Sequence, residues 1–285
     1  MQDREKAFID ALKHSRCTFG IGDDGVVLGD FIIASDMFFE DIHFRRKWGS
    51  LEGIVEKCFC VNLSDIYAMN GIPKYAILNI ALPKDLKNPK NLAKIIAKVA
   101  DKYGIKIIGG DTCIGDKLHL SLTLLGKRQK KILYRSGVKK GDYLCYLSPF
   151  GALNSPLQSF GNVKKSLKNA LCYDVLQKKS RFANPKLHPQ MLFALNKIAK
   201  AGMDISDGIY IDISRLARIN KIDFVFLKKK DAWFYSPEEY QMLYALDKKN
   251  LQKAKNLAKR FRHKLIIFAK VKQGIYRLKQ KNHHS

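Results

Sequence analysis

Residues 20–25 read GIGDDG and match the glycine pattern G-x-G-x-x-G letter for letter. In a dinucleotide-binding fold that pattern follows a strand, opens a helix and is answered by an acid about 20 residues on. Neither flank fits. The preceding KHSRCTF (13–19) is no buried strand, and the following VVLGDFIIASD (26–36) is β-branched and apolar, the composition of a strand rather than a helix. The last two of its three variable positions are Asp23 and Asp24. A bare carboxylate repels a pyrophosphate unless a cation stands between them. The stretch therefore points away from a phosphate cradle and toward metal, and the question becomes whether more acids gather around it.

The rest of the chain sets the bounds. Its 285 residues suit one large or two medium domains, and 46% apolar residues suffice for sizeable cores. No apolar run is long enough to span a bilayer, and the charged, helix-periodic MQDREKAFIDALKH (1–14) is not a secretory signal. Six cysteines (17, 58, 60, 113, 145, 172) contain no C-x-x-C pair, which fits reduced, mostly buried thiols in a cytoplasmic protein. The net charge of +26, from 52 Lys and Arg against 26 Asp and Glu, raises the possibility of a nucleic-acid partner. The lysines, however, are scattered through helical stretches such as KNLAKIIAKVADKYG (90–104), and no zinc-finger, homeodomain or RNP pattern occurs. The surplus suits any polyphosphate ligand.

Periodicity predicts an alternating chain. Strands are expected at 30–36, 74–83, 105–111 and 118–126, with helices at 50–69 and 88–104 between them. The turn-rich YRSGVKKGD (134–142) marks a domain boundary near residue 137, dividing an N-terminal domain, 1–137, from a C-terminal one, 138–285. In the second half helices are expected at about 163–179, 187–200 and 238–261, with a further one beginning near Ile209, and strands at 223–227 and 264–271. This mixture describes an α/β or α+β protein.

Five aspartates follow small residues at turns or element ends: GIGDD, IIASD, VNLSD, IIGGD and MDISD, which place Asp24, Asp36, Asp65, Asp111 and Asp207. Each has an ordinary structural reading. Asp207 could cap the helix after Gly208, Asp65 could be an exposed helix residue, and Asp111 a turn former. Together, in a chain short of acids, they describe a carboxylate cluster, and gathered carboxylates need a divalent cation. Magnesium suits them, because it binds few carboxylates and keeps positions open for phosphate oxygens.

In order, GIGDDGVVL, ASDMFFEDIHF, VNLSDIYAMNGIP, IIGGDT, RSGVKKGDYL and DISDGIYIDI resemble the thiamine-monophosphate kinase family, within the aminoimidazole-ribonucleotide-synthetase-like superfamily of ATP-using enzymes. The resemblance runs closely over about 18–215. It implies a cytoplasmic homodimer whose N-terminal mixed sheets pair across the dimer, and which uses ATP and several Mg2+ ions to convert thiamine monophosphate to thiamine diphosphate. By motif position it assigns Asp24, Ser35, Asp36, Asp65, Asp111, Asp204 and Asp207 to metal. Tyr103, Gly110, Asp111, Arg135 and Ser206 fall to ATP, and His43 and Glu238 to the acceptor. Without the resemblance, His43 reads as a buried neutral histidine beside Phe44. Because the acceptor is already an anionic phosphate, no covalent nucleophile is expected; direct in-line transfer between screened phosphates suffices.

The chain departs from the family pattern where Ala34-Ser35-Asp36 replaces Thr-Thr-Asp, where Ser236-Pro237-Glu238-Glu239-Tyr240 replaces Gly-Gly-Glu-Asp-Tyr, and in a shortened C-terminal part. The alternatives are a sister enzyme, similar to selenophosphate or aminoimidazole-ribonucleotide synthetase, and an inactive basic nucleic-acid-binding protein.

Overall fold

Strands from the first 128 residues form one sheet and strands from residue 143 onward another, with a single long helix packed between them. The computed structural model describes residues 4–148, 185–230 and 232–277. After α1 (Arg4–His14), the first sheet contains β1 (Val26–Leu28), β2 (Phe31–Phe39), β3 (Gly71–Pro83), β4 (Lys106–Gly109), β5 (Thr112–Gly115) and β6 (His119–Arg128). Its order is β1-β2-β6-β3-β4, with β5 also on β3. β4 and β5 run parallel to β3, and every other pairing is antiparallel.

The second sheet has the order β8-β10-β7-β11-β9 and is antiparallel throughout. Its strands are β7 (Tyr143–Ser148), β8 (Ala201–Ile205), β9 (Ile222–Phe226), β10 (Gln241–Leu246) and β11 (Lys264–Gln273). Helices α4 (Pro189–Asn196), α5 (Ile209–Asn220) and α6 (Leu251–Arg260) accompany it. No helix among the described residues is long and apolar enough to cross a membrane.

Helix α2 (Leu51–Ala68) joins the halves. Ser50 caps it by accepting from the Gly53 amide at 3.1 Å. The sequence predicts apolar residues broadly on one side. Instead, burial extends around the helix and takes in Lys57, Asn62 and Ser64, because α2 faces both the first sheet and elements of the second half. Helix α3 (Pro89–Lys102) is the ordinary amphipathic case, burying Leu92, Ile96, Val99 and Ala100. One core cluster runs from the first sheet through α2 to Leu147, Met242 and Leu265, and a second fills the other face of the second sheet.

Several expectations need correction. The helix expected over about 238–261 is two elements: the fully buried strand β10, then α6. A short apolar run such as QMLYAL has no period separating buried strand from buried helix, and here it pairs with β7 and β8 on both sides. The helix expected at 187–200 is confined to Pro189–Asn196. The helix expected at 163–179 lies outside the described residues. Asp36 does not end its strand, since β2 continues to Phe39. The strand before Asp111 is exposed along its length, at the sheet edge, and not buried.

Candidate functional site

The GIGDDG loop is held by one arginine. The Arg135 backbone amide donates to Asp23 Oδ1 at 2.6 Å, and its guanidinium donates to Asp24 Oδ1 through Nε (3.0 Å) and Nη2. The Asp24 side chain is almost wholly buried. Asp24, Asp65 of α2 and Asp204 of β8 then present carboxylate oxygens within 4.8 Å of one another. Three distant stretches of chain thus meet at one point.

The cluster is electrostatically unsatisfied. Burial, followed by the charges of Asp204, Asp36 and Asp24, pushes the Asp65 carboxyl well above the usual carboxylate range. Burial and then Asp24 and Asp212 do the same to Asp204, while Ser64 Oγ donates to Asp204 Oδ2 at 2.8 Å. Asp36 reaches the group from β2. Its amide donates to Asn62 Oδ1 at 3.1 Å, its carboxyl shares a hydrogen bond with Asp65, and its Oδ2 is buried without a hydrogen-bond partner. Buried acids in contact, one oxygen unpaired, and an all-oxygen donor set fit a hard divalent cation such as Mg2+.

Not every expected ligand joins. Successive side chains leave a strand on opposite faces, so Ser35 points away from Asp36. Its exposed hydroxyl hydrogen-bonds Thr123 Oγ1 at 2.7 Å. Asp111 sits in the exposed β4–β5 turn, where its amide donates to Asn79 Oδ1 at 2.9 Å and its own Oδ1 accepts from the Thr112 amide. Asp207 does not cap α5, whose N-cap is Gly208 with no side-chain bond. Its Oδ2 meets Arg215 Nη2 at 2.6 Å instead.

Among the residues assigned to ATP, Arg135 is in the cluster. Ser206 lies just after Asp204, and its carbonyl accepts from the Glu238 amide at 2.7 Å. Tyr103 closes α3, and its hydroxyl donates to Glu56 Oε1 at 3.2 Å and lies 3.3 Å from Cys60 Sγ. Gly110 adopts φ +144°, and a Cβ there would fall 1.7 Å from the Leu78 carbonyl oxygen.

His43 occupies a tight loop after β2. Its Nδ1 accepts from the Phe39 amide at 2.9 Å, so the neutral ring carries its proton on Nε2. Burial lowers its pKa, with Glu238, Lys57 and Asp36 the charges that act on it. The ring stacks on Phe38. Arg46 braces this loop by donating from Nε to Glu40 and through both terminal nitrogens to Asp85. Glu238 has φ +54°, and its Oε2 accepts from Lys57 Nζ at 2.5 Å.

Sequence reading did not select Lys57, Ser64 or Asp212 for the site. Asp212, on α5, is fully buried and accepts from Arg215 Nη1 at 3.0 Å; burial pushes its carboxyl up to about 7. The signal for Ser64 was its place beside Asp65, and for Lys57 its spacing of eight residues from Asp65 along one helix.

The family model for AIR synthase related protein, N-terminal domain, matches residues 22–127. The thiamine-monophosphate kinase of Buchnera aphidicola subsp. Acyrthosiphon pisum (strain APS) is 31% identical over 268 residues, spanning 85% of this chain and 81% of that protein. The solved structure of AaThiL complexed with AMPPCP and TMP superposes with a TM-score of 0.75 at 22% identity, covering 97% of this chain and 94% of that one. E. coli HypE, a hydrogenase maturation protein, shares the fold at a TM-score of 0.66 and 15% identity, over 95% and 92% of the two chains.

Proposed function

We propose, from the premise that this chain belongs to the thiamine-monophosphate kinase family, a division of labour among its site residues. The enzyme phosphorylates thiamine monophosphate with ATP. The observation that carries the division is the meeting of Asp24, Asp65 and Asp204 within 4.8 Å, with Asp36 bonded to Asp65.

These four carboxylates would hold Mg2+, which screens the phosphate charges and fixes the phosphoryl group for in-line attack. Ser64 and Asn62 orient the ligands, the first by donating to Asp204 and the second by accepting from the Asp36 amide. Arg135 is the cation nearest the cluster, and Asp24 neutralises it. With polyphosphate present, the guanidinium binds phosphate oxygens. Tyr103, Gly110, Asp111 and Ser206 complete the ATP side, and Asp207 supplies an outer position. His43, neutral with its proton on Nε2, donates to the acceptor phosphate. No side chain forms a covalent intermediate, since the acceptor oxygen is already ionised.

The same reading includes two domains, 1–137 and 138–285, and a homodimer through the uncovered face and edge of the first sheet, where Met37, Ile77, Ile107, Ile108 and Ile114 are exposed. Free thiols at Cys17, Cys58, Cys60, Cys113 and Cys145 support a cytoplasmic setting.

The deciding assay incubates the protein with ATP and thiamine monophosphate, with Mg2+ or with EDTA, and separates the products chromatographically. Thiamine diphosphate formed only with Mg2+ is expected. Its absence in both mixtures, or equal formation in EDTA, overturns the respective part of the reading.

A further inference from the structure

Lys57 is the buried cation of the acceptor side. It lies on α2 eight residues before Asp65, about 12 Å along the helix axis, and is only 5% exposed. Its Nζ donates to Glu238 Oε2 at 2.5 Å, bridging 181 residues of sequence. An ammonium removed from water requires an anion beside it, and here Glu238 is one such anion. The two partners differ in mobility. Lys57 stands on a helix packed on both sides. Glu238 belongs to an irregular segment, its side chain is 32% exposed, and its backbone is in the left-handed region, as is that of Tyr240 at φ +48°. Both charges act on His43, together with Asp36. The pair therefore lies close to His43.

On the reading that the acceptor is thiamine monophosphate, the ligand is a zwitterion, with an anionic phosphate joined through a two-carbon arm to a cationic thiazolium. A lysine and a glutamate in contact form its complement. We propose that Lys57 binds the acceptor phosphate and that the Lys57–Glu238 ion pair is opened by substrate. The phosphate takes Glu238's place on the rigid ammonium, and the carboxylate, on its looser segment, turns to the thiazolium. In the free enzyme each charge holds the other's place, so neither is left buried and unmatched. The site thereby selects the phosphorylated form over thiamine, which cannot displace Glu238 from Lys57.

The selectivity between the two ligands is the readout, because a purely structural clasp affects both alike. Dissociation constants for thiamine monophosphate and for thiamine are measured by calorimetry on the full chain with Mg2+ and a non-hydrolysable ATP analogue. Lys57→Met is expected to weaken thiamine monophosphate about ten- to a hundredfold while thiamine changes less than about threefold, collapsing the ratio. Lys57→Arg recovers part of it. Glu238→Gln removes the competing anion, so the ratio rises even though thiamine itself binds less well. This second variant keeps the test decisive if Lys57→Met folds poorly. An unchanged ratio in both variants overturns the proposal. Should the wild-type chain fail to form thiamine diphosphate at all, the kinase reading falls instead, and the ratio has no bearing on it.

Discussion

Asp65, Asp204 and Asp212 are carboxyls that the fold makes costly to ionise, and burial is the first cause for each. In the unfolded chain an aspartate titrates near pH ~3.9; in the folded chain Asp212 does so at about 7 and the other two well above the ordinary range. Between those values the folded protein keeps protons that the unfolded chain has released, so stability falls as pH rises. In EDTA the melting temperature should therefore be higher at pH 5.5 than at pH 8, and Mg2+ should shrink that difference by matching the ionised acids. A melting series with opposite slope would contradict the electrostatic account. For the same reason Asp36→Asn and Asp65→Asn should each abolish turnover while the melting temperature of the metal-free protein holds or rises. Near-wild-type activity for either, at saturating Mg2+, would remove the cluster from the mechanism. His43→Ala should raise KM for thiamine monophosphate or lower kcat, costing about 1.5–3 kcal/mol in kcat/KM through one lost hydrogen bond to a charged group. KM for ATP should stay nearly constant. Equal small losses for both substrates with a lowered melting point would make His43 a packing residue.

Helix α2 carries Lys57, Asn62, Ser64 and Asp65, so its rigidity is the rigidity of the site. Its Ser50 cap is exposed and remote from those residues, and Ser50→Ala should lower stability by about 1 kcal/mol with kcat unchanged. Denaturant unfolding together with one activity measurement checks both parts. The β4–β5 turn is more brittle. At Gly110 a side chain would meet the backbone oxygen of Leu78 and would also require φ +144°, a region costing about 1–3 kcal/mol for other residues. Gly110→Ala should displace Asp111 and raise KM for ATP more than KM for the acceptor. The elements that sequence periodicity located well are the ones with a single buried face, such as α3 and the alternating β6. Where both sides are covered, as in β10, no period remains to read.

The whole molecule adds charge and surface. Its +26 charge spreads over many lysines and would draw in ATP and an anionic acceptor over long range. Raising the ionic strength should therefore slow kcat/KM for both substrates more than kcat. Ile107 and Ile108 of β4 and Ile114 of β5 are exposed at the edge of the first sheet, apolar surface that the proposed second copy would bury. Ile108→Glu should convert the expected dimer to monomer in light scattering, and an unaltered mass would exclude this face from the interface.

The order of motifs by itself determined the family and the mixed architecture, because turns ending in glycine and aspartate write their geometry locally. GIGDDG could be refused as a phosphate cradle from its flanks alone. What only the tertiary structure decided is which of those acids meet. Asp24, Asp65 and Asp204 are drawn from a loop, a helix and a strand of the other sheet, and nothing in their local spacing requires contact. The pleat of β2 sends Ser35 to one face and Asp36 to the other. The Lys57–Glu238 pair joins residues 181 apart in the sequence. Such contacts depend on how the two sheets close over α2, and that closure is set by burial summed over both cores, a quantity no short window of residues contains.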